Sequence, residues 1–191
     1  THARVAHATG RPVVRPIGLA YPDDGRHPDD AFLSGPDLLV APLTRGGTTR
    51  TVPLPAGGWI DWWTGERVVG RVDLAVDVPL GTVPLYLREG ALVPMLRPTV
   101  QTLSPVDDPG IDSWVSVPGR LWGRVVPAEG ETSSLTLHDG ATWTLTSAAG
   151  GAATFTVVPG SAYAGLRVEV WAPEAAFATL GGSDLPAASS E

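Results

Sequence analysis

The sequence predicts an all-β protein made of two antiparallel β-sandwich domains. From Pro12 onward, short apolar runs rich in Val, Leu and Trp are interrupted by Gly or Pro every 6 to 12 residues. This alternation is typical of successive β-strands and turns. Of the 191 residues, 43% are hydrophobic and seven are Trp, so the chain is long enough and apolar enough to bury sizeable cores.

A helix is predicted only at the N-terminus, over residues 1–9, because Gly10 followed by Pro12 is a helix stop signal. The proline-rich segment after Leu96 is the best candidate for a linker, and the last residues are small and polar. We therefore assign the helix end to residues 1–10, a first β-domain to 11–96, a second to 97–180 and a flexible tail to 181–191. Because the chain opens inside a helix without Met, we expect it to belong to a longer polypeptide.

Candidate strands follow the apolar runs. In the first domain they are Val13–Leu19, Leu38–Pro42, Thr51–Leu54, Trp59–Trp63, Arg67–Val69, Leu74–Val78, Leu85–Arg88 and Leu92–Val93. In the second domain they are Ser113–Val117, Leu121–Val126, Ser134–His138, Thr142–Thr146, Ala153–Val158 and Leu166–Trp171.

One hairpin can be predicted with its register. A two-residue turn at Asp139-Gly140 would place Leu and Thr opposite each other and Trp143 on the other face. A three-residue loop with Gly140 in the left-handed region instead pairs Leu135 with Trp143 and Leu137 with Ala141. The second arrangement makes one face continuously apolar, so we expect the longer loop.

Composition excludes several classes of function. There is no Cys and no Lys, and the net charge is −7 with the Arg residues scattered along the chain. Disulfides, cysteine metal sites and thiol catalysis are thereby excluded, and a nucleic-acid partner is not expected. No apolar run approaches the roughly 18 residues of a membrane-spanning helix, so we expect no membrane partner either. We predict no cofactor.

The densest acidic stretch is PDDGRHPDD. A glycosidase needs two converging carboxylates, and a metal loop needs several oxygen ligands, but the spacing here fits neither closely. Solvated turn residues and strand caps are the favoured interpretation, with metal binding and catalysis as alternatives, and the same holds for a second run near residue 110. The residues concerned are Asp23, Asp24, His27, Asp29 and Asp30, and then Asp107, Asp108 and Asp112.

Other candidate sites are weak. His2 and His7 are five residues apart, which places them on different sides of a helix. Ser34 lacks the preceding Gly of a hydrolase nucleophile elbow, and Gly46-Gly47-Thr48 lacks the Lys of a phosphate-binding loop. We therefore assign no catalytic, substrate-binding or metal-binding residue in the chain.

Three Trp residues lie in one predicted strand. Alternation places Trp59, Asp61 and Trp63 on one face and Ile60 with Trp62 on the other. Such rings could form a sugar-stacking platform, but filling the space between sheets or against a neighbouring domain is the favoured interpretation.

Four motifs occur in order between Ala6 and Met95: AHATGRPVVRPIGLAYPDD, FLSGPDLLVAPL, LPAGGWIDWWTGE and VPLYLREGALVPM. In this order they resemble the C-terminal part of glycoside hydrolase family 31, the family of α-glucosidases and α-xylosidases. Residues 113–171 resemble the more variable distal domain of that family, chiefly through SSLTLHDG. Ala31, where the family usually has Gln, and Ser34, where an apolar residue is common, depart from the pattern and affect local packing.

The resemblance implies that the N-terminal helix is the end of the last helix of a catalytic (β/α)8 barrel that is otherwise absent. It also implies that the two β-sandwich domains are the proximal and distal C-terminal domains. The two carboxylates of the family's retaining mechanism would lie upstream of Thr1, so no residue of this chain inherits either role.

We therefore predict the C-terminal β-domains of a retaining α-glycosidase that hydrolyses terminal α-linked glucose or xylose. These domains would brace the parent's barrel, and the 191-residue chain alone would be inactive. Its partners would be that barrel and the parent's oligo- or disaccharide substrate. The alternative is a freestanding carbohydrate-binding β-sandwich module that uses the Trp residues as its platform.

Overall fold

A computed structural model describes residues 1–115, 120–162 and 165–171, and the backbone of two short strands beyond them. The helical elements are α1 (His2–Thr9), α2 (Ile17–Ala20) and a 3-10 turn (Pro22–Asp24). The strands of the first half are β1 (Val14–Pro16), β2 (Phe32–Ser34), β3 (Leu38–Val40), β4 (Thr49–Leu54), β5 (Gly58–Asp61), β6 (Arg67–Val69), β7 (Val72–Asp77) and β8 (Leu85–Arg88). They are followed by β9 (Leu92–Leu96), β10 (Arg120–Val125), β11 (Thr132–Thr136), β12 (Thr142–Ser147), β13 (Ala153–Val158), β14 (Gly165–Val170), β15 (Ala178–Leu180) and β16 (Ser183–Leu185). The predicted all-β class is confirmed.

The first half contains a six-stranded sheet in the order β1-β2-β3-β8-β5-β6 and a two-stranded sheet, β4-β7. Apolar side chains from both sheets form one buried cluster, because each strand directs alternate residues to the same side. Val52 and Leu54 of β4 pack there against Leu39, Trp59 and Tyr86 of the larger sheet.

The second half contains two three-stranded sheets, β14-β10-β9 and β11-β12-β13. Leu92, Leu121 and Val125 of the former pack against Trp143 and Leu145 of the latter. The prediction of purely antiparallel sheets was wrong at one pair, since β10 and β14 run parallel. Two parallel neighbouring strands must be joined by a long crossover connection, and the connection from β10 to β14 contains the β11-β12-β13 sheet.

The two halves are continuous through β9. This strand precedes the expected boundary near residue 97, yet it pairs along its length with β10, from Leu92↔Val125 to Leu96↔Leu121. A third buried cluster joins Ile60 and Leu87 of the first half to Val126 of the second. The division into domains at residue 97 stays a prediction.

The predicted hairpin is confirmed. Leu135 pairs with Trp143 in the β11-β12 ladder, and the backbone N–H of Leu137 donates to the carbonyl of Ala141 at 2.7 Å. Gly140 has φ 91°, the left-handed conformation that closes a three-residue loop.

Several strand predictions were wrong in their extent. The predicted strand Val13–Leu19 ends at Pro16, which has no N–H to continue the ladder, and α2 begins at the next residue. Strand β5 ends at Asp61, because a carboxylate oxygen of Asp61 accepts the backbone N–H groups of Trp63 and Thr64 and turns the chain. Strand β2 was not predicted, because it is only three residues long and lies between two turns.

The region predicted as the strand Ser113–Val117 has a single bridge, between Thr102 and Ser113, in its described part, and residues 116 and 117 lie outside the described residues. The predicted tail at 181–191 contains β16, which pairs with β15. The rest of that tail also lies outside the described residues. Among the described helices, none is long and apolar enough to cross a bilayer.

Candidate functional site

The acidic segment after Tyr21 is tied to the sheet β4-β7 by an arginine. Both carboxylate oxygens of Asp24 accept hydrogen bonds from Arg26, at 2.5 and 2.9 Å. The same guanidinium donates to the carbonyls of Leu54 and Val72 and to the carboxylate of Asp73. The hydrogen bonds from Arg26 hold the pKa of Asp24 below its usual range. This carboxylate is therefore a structural acceptor rather than a proton donor.

Asp30 is used in the same way. Its carboxylate accepts from Arg50 at 3.0 Å, and Arg50 also donates to the carbonyl of Pro42. Within the described residues, Asp23 and Asp29 take no part in these bonds, and no three His, Asp or Glu side chains are grouped as a metal site would require. Asp24 and Asp30 thus act as hydrogen-bond acceptors for arginines that hold the segment in place.

The second acidic run forms turns. The carboxylate of Asp108 accepts the backbone N–H of Gly110 at 2.8 Å. Asp112 accepts from Arg97 at 2.6 Å, and the hydroxyl of Thr99 together with Arg97 lowers the pKa of Asp112. These contacts fold the linker on itself.

The histidines are packing residues. The ring of His2 lies against Gly35, where an added Cβ would be 2.9 Å from it. Burial lowers the pKa of His2, whereas His7 is exposed on α1. The ring of His27 lies closer still to Gly18, where an added Cβ would be 2.0 Å from its Nδ1.

The remaining weak candidates lie in ordinary elements. Ser34 belongs to β2 and pairs with Val14 and Leu38, and Gly46-Gly47-Thr48 forms the loop before β4. Neither lies at a strand-to-helix turn of the kind that exposes a nucleophile or cradles a phosphate.

The three tryptophans have different surroundings. Trp59 is fully buried, and its Nε1 donates to the carbonyl of Pro55 at 2.9 Å. Trp62 is half-buried beneath Arg124, whereas Trp63 is 55% exposed with its Nε1 bonded to the carbonyl of Val83. Because the strand stops at Asp61, the rings do not form one continuous surface.

The sequence analysis missed the role of Arg124. Its guanidinium lies between the rings of Trp62 and Trp171, 3.9 and 3.7 Å from their centroids. It donates to the carboxylate of Glu169 at 3.1 Å and to the carbonyl of Trp62. A desolvated guanidinium between two indoles is a strong cation–π contact, and this one joins the two halves of the molecule. Strand alternation could place Arg124 on a face, but not opposite Trp62.

The helix α1 is largely exposed to solvent. It has eight residues, and none of them is buried. Val5 is 40% exposed, and two more apolar side chains nearby in the chain, Val14 and Leu19, are more exposed still. Isolated helices shorter than about 12–15 residues are marginal in water. The surface of residues 1–20 is therefore a candidate docking surface.

Residues 10–93 match the sequence profile described as the glycosyl hydrolase family 31 C-terminal domain. These residues are a family 31 C-terminal domain. The chain is also 40% identical over 91 residues to α-glucosidase 2 of Bacillus thermoamyloliquefaciens, covering 46% of this chain and 12% of that enzyme. It is 33% identical over 102 residues to an α-xylosidase of Saccharolobus solfataricus, covering 51% of this chain and 14% of that enzyme.

Solved family 31 structures extend the similarity beyond this domain. A GH31 dextranase of Flavobacterium johnsoniae, complexed with glucose, has a TM-score of 0.76 at 26% identity, over 96% of this chain and 24% of that one. A cycloalternan-forming enzyme of Listeria monocytogenes, in complex with a pentasaccharide substrate, has a TM-score of 0.73 at 25% identity, over 98% and 18%.

The family 31 C-terminal domain therefore occurs in relatives as part of much larger glycoside hydrolases. This chain spans 12% and 14% of the two curated relatives above. Where those enzymes are named for glucosides or xylosides, the name refers to the whole enzyme.

Proposed function

We propose that this chain supplies the C-terminal β-domains of a retaining α-glycosidase acting on terminal α-linked glucose or xylose, and that these domains brace its catalytic (β/α)8 barrel. The chain itself would be inactive. The observation that carries the proposal is α1, an eight-residue helix with no buried side chain, at the start of a fold shared with whole family 31 enzymes.

A helix this short needs tertiary packing to persist. In the chain as described, its anchor is the ring of His2 against Gly35. Barrel enzymes place catalysis at the carboxyl ends of their strands, so domains appended after the last barrel helix support the barrel rather than perform the reaction. The exposed Val5 would then pack against the barrel of the parent protein.

Carboxylate chemistry supports the expectation that the chain alone is inactive. A retaining glycosidase needs two carboxyl groups about 5–5.5 Å apart across the scissile bond, one with a raised pKa. Asp24 is saturated by Arg26 and has a lowered pKa, and Asp30 is bonded to Arg50. Within the acidic segment, these groups cannot serve as the general acid.

The first experiment is an assay of the 191-residue chain on aryl α-glucosides and aryl α-xylosides. We expect no hydrolysis above buffer. Turnover that is abolished by Asp23→Ala or Asp29→Ala would contradict the proposal and make the acidic segment an active site.

The second experiment tests the bracing role with the substitution Val5→Asp. The substitution is made both in the 191-residue chain and in the longer parent protein that would contain the barrel. We expect the melting temperature to fall in the full polypeptide and to stay nearly unchanged in the isolated chain. Val158→Asp is the control, because Val158 is 58% exposed in β13, far from α1 in the sequence. It should act equally in both contexts. Equal effects of Val5→Asp in both would count against docking.

The freestanding carbohydrate-binding module is less well supported. A stacking platform needs ring faces open to solvent, whereas Trp59 is buried and a face of Trp62 is covered by Arg124. Binding of malto-oligosaccharides that Trp63→Ala removes without loss of fold would favour that alternative.

A further inference from the structure

A polar cleft lies between the two halves, on a different part of the surface from the acidic segment. It has a volume of about 270 Å³. One wall comes from the β2-β3 turn with Asp37, and from the end of β8 with Arg88. The other wall is β11, an outer strand of its sheet. Ligand pockets for drug-sized molecules start at about 300 Å³, so this cleft suits a single small ring.

The ion pair in the first wall is only partly satisfied by the protein. Nε and Nη2 of Arg88 both donate to Oδ1 of Asp37, at 3.3 and 3.0 Å. These two bonds use neither Nη1 of Arg88 nor Oδ2 of Asp37, and the described part of the chain gives neither atom a side-chain hydrogen-bond partner. A fixed donor and a fixed acceptor are thus presented side by side. Two neighbouring hydroxyls of a sugar offer the complementary acceptor and donor.

The opposite wall adds hydroxyl groups and an apolar floor. Thr132, Ser133 and Ser134 line the cleft from β11, and Leu92 and Leu135 form apolar parts of the lining. A pyranose has the same mixture, with hydroxyls around its rim and C–H groups on its faces. Such a site combines an apolar surface with a few convergent polar groups, as ligand pockets generally do.

Glycine keeps part of this cleft open. Gly90, in the β8-β9 turn, has φ 82°, and a Cβ at this position would lie 2.9 Å from Oγ of Ser133. A side chain here would be strained and would also occupy the space between the two walls.

The charge of the lining selects against anions. Arg88 faces the carboxylate of Asp37, and Glu131, the residue before β11, lies close enough to Arg88 to interact with it electrostatically. One cation beside two carboxylates leaves a net negative cleft, which repels phosphate and carboxylate ligands. A neutral polyol avoids this penalty.

Another depression, beside the acidic segment, provides a contrast. It has a volume of about 220 Å³ beside Tyr21, and it is lined by Asp24 and Arg71 among others. There both oxygens of Asp24 are already bonded to Arg26. Its carboxylate is less available to a ligand than that of Asp37.

We propose that the Asp37–Arg88 cleft binds one neutral pyranose ring through two neighbouring hydroxyls. This site does not rest on the proposed function, since it is complete within the described chain and needs no barrel.

The test is titration of the 191-residue chain with methyl α-D-glucopyranoside, followed by NMR chemical shifts. We expect saturable shifts confined to residues around the cleft. Arg88→Gln should weaken binding by at least about tenfold, because a hydrogen bond to a charged group contributes about 1.5–3 kcal/mol and about 1.4 kcal/mol is a factor of ten. Ser133→Phe should block the cleft while the ion pair remains intact, because Oγ of Ser133 lies across from Gly90 and alternation along β11 turns the side chain of Thr132 to the other face.

Arg67→Gln is the matched control, because Arg67 forms a surface ion pair with Glu89 and does not line the cleft. It should bind like the unaltered chain, and thermal unfolding should show that each variant is folded. No saturable shift up to about 50 mM sugar, near the limit of weak binding, would overturn the proposal. Equal binding by all four proteins, or acetate binding as well as the sugar, would also overturn it.

Discussion

The core of the first half and the core of the second half are each built around one buried tryptophan, and the two are held differently. Trp59 is bonded through Nε1 to the carbonyl of Pro55 and lies 6.2 Å from the ring of Tyr21. Trp143 lies in the middle of a three-stranded ladder, in an edge-to-face contact with Phe155 whose ring centroids are 5.7 Å apart.

The segments around the two cores are also held differently, by arginine side chains in the first half and by strand pairing in the second. In the first half, irregular segments are fastened to the sheets by arginines that bond backbone carbonyls, as Arg26 does at Leu54 and Arg50 at Pro42. In the second half, β11, β12 and β13 are held by continuous pairing. The arginine-held segments of the first half depend on particular side chains. The paired strands of the second half require only that apolar and polar residues alternate, which many sequences can satisfy. This explains why the family profile matches residues 10–93 while structural similarity extends over 96% of the chain.

The largest effects should come from the two tryptophans. We expect Trp59→Ala and Trp143→Ala each to lower the free energy of unfolding by about 3–5 kcal/mol. Trp59→Ala should cost more, because it also leaves the carbonyl of Pro55 without its buried donor. Urea unfolding measures both. A milder effect for Trp59→Ala would contradict the difference between the cores.

The hydrogen bonds by which Arg26 holds the acidic segment against the β4-β7 sheet can be tested by replacing Asp24. Asp24→Asn should cost about 1.5–3 kcal/mol at pH 7, because a charged hydrogen-bond acceptor of Arg26 is lost. The pKa of Asp24 is held below its ordinary value of 3.8 by Arg26, so the stabilisation is complete above pH 3.8 and disappears as pH falls through the folded pKa. The melting temperatures of the two proteins should therefore converge in acid. The exposed neighbour Asp23 supplies the control, Asp23→Asn, which should show no such convergence. A difference that persists unchanged at low pH would exclude the ionic mechanism.

Glycines test how tightly each half is packed. An added Cβ at Gly70 would lie 1.8 Å from the carbonyl oxygen of Pro55, whereas at Gly46 it meets nothing within 4 Å. Gly70→Ala should cost about 1–3 kcal/mol by forcing backbone apart, and Gly46→Ala should be close to neutral. In the second half, Gly123→Ala would press on the ring of Trp143 at 2.9 Å, which can shift more easily than backbone. Thermal unfolding should show the largest loss for Gly70→Ala, a smaller one for Gly123→Ala and almost none for Gly46→Ala, and a neutral Gly70→Ala would show that the turn is loose.

The junction between the halves should give the smallest effect on global stability. Arg124→Met removes a cation held between two indoles, for which we expect about 1–2 kcal/mol. Hydrogen exchange should rise at the backbone N–H of Trp171, which donates to Val125, more than in the middle of β12. Arg167→Met is the control, since Arg167 covers a single ring, that of Trp122, within the second half. Uniform exchange changes throughout the molecule would argue against a local junction.

Local patterns predicted much of this structure. The bounds Arg67–Val69, Leu85–Arg88 and Ala153–Val158 agree with the observed strands, and the hairpin register at Leu135 follows from keeping one face apolar. These features depend on residues that are close in the sequence, so alternation and turn chemistry are sufficient.

The long-range contacts could not be predicted in this way. Arg124 bonds Trp62, 62 positions away, and Arg26 bonds Asp73, 47 positions away. Asp24 is two residues from Arg26, so that ion pair is local, but nothing near Arg26 in the sequence indicates that the same guanidinium reaches Asp73 in the neighbouring sheet. The cleft at Asp37 has the same origin, because its walls come from separate halves of the chain.

The parallel pair β10-β14 has a consequence for the order in which the molecule is made. As the chain leaves the ribosome, β9 and β10 can pair at once, but the other edge of β10 waits for β14. At about 5–20 residues per second, residues 126–164 take roughly 2–8 s to be synthesised. During that interval an unpaired strand edge, with Trp62 still lacking Trp171, is open to other nascent chains. Slow translation of this stretch would prolong the time in which the growing protein can aggregate.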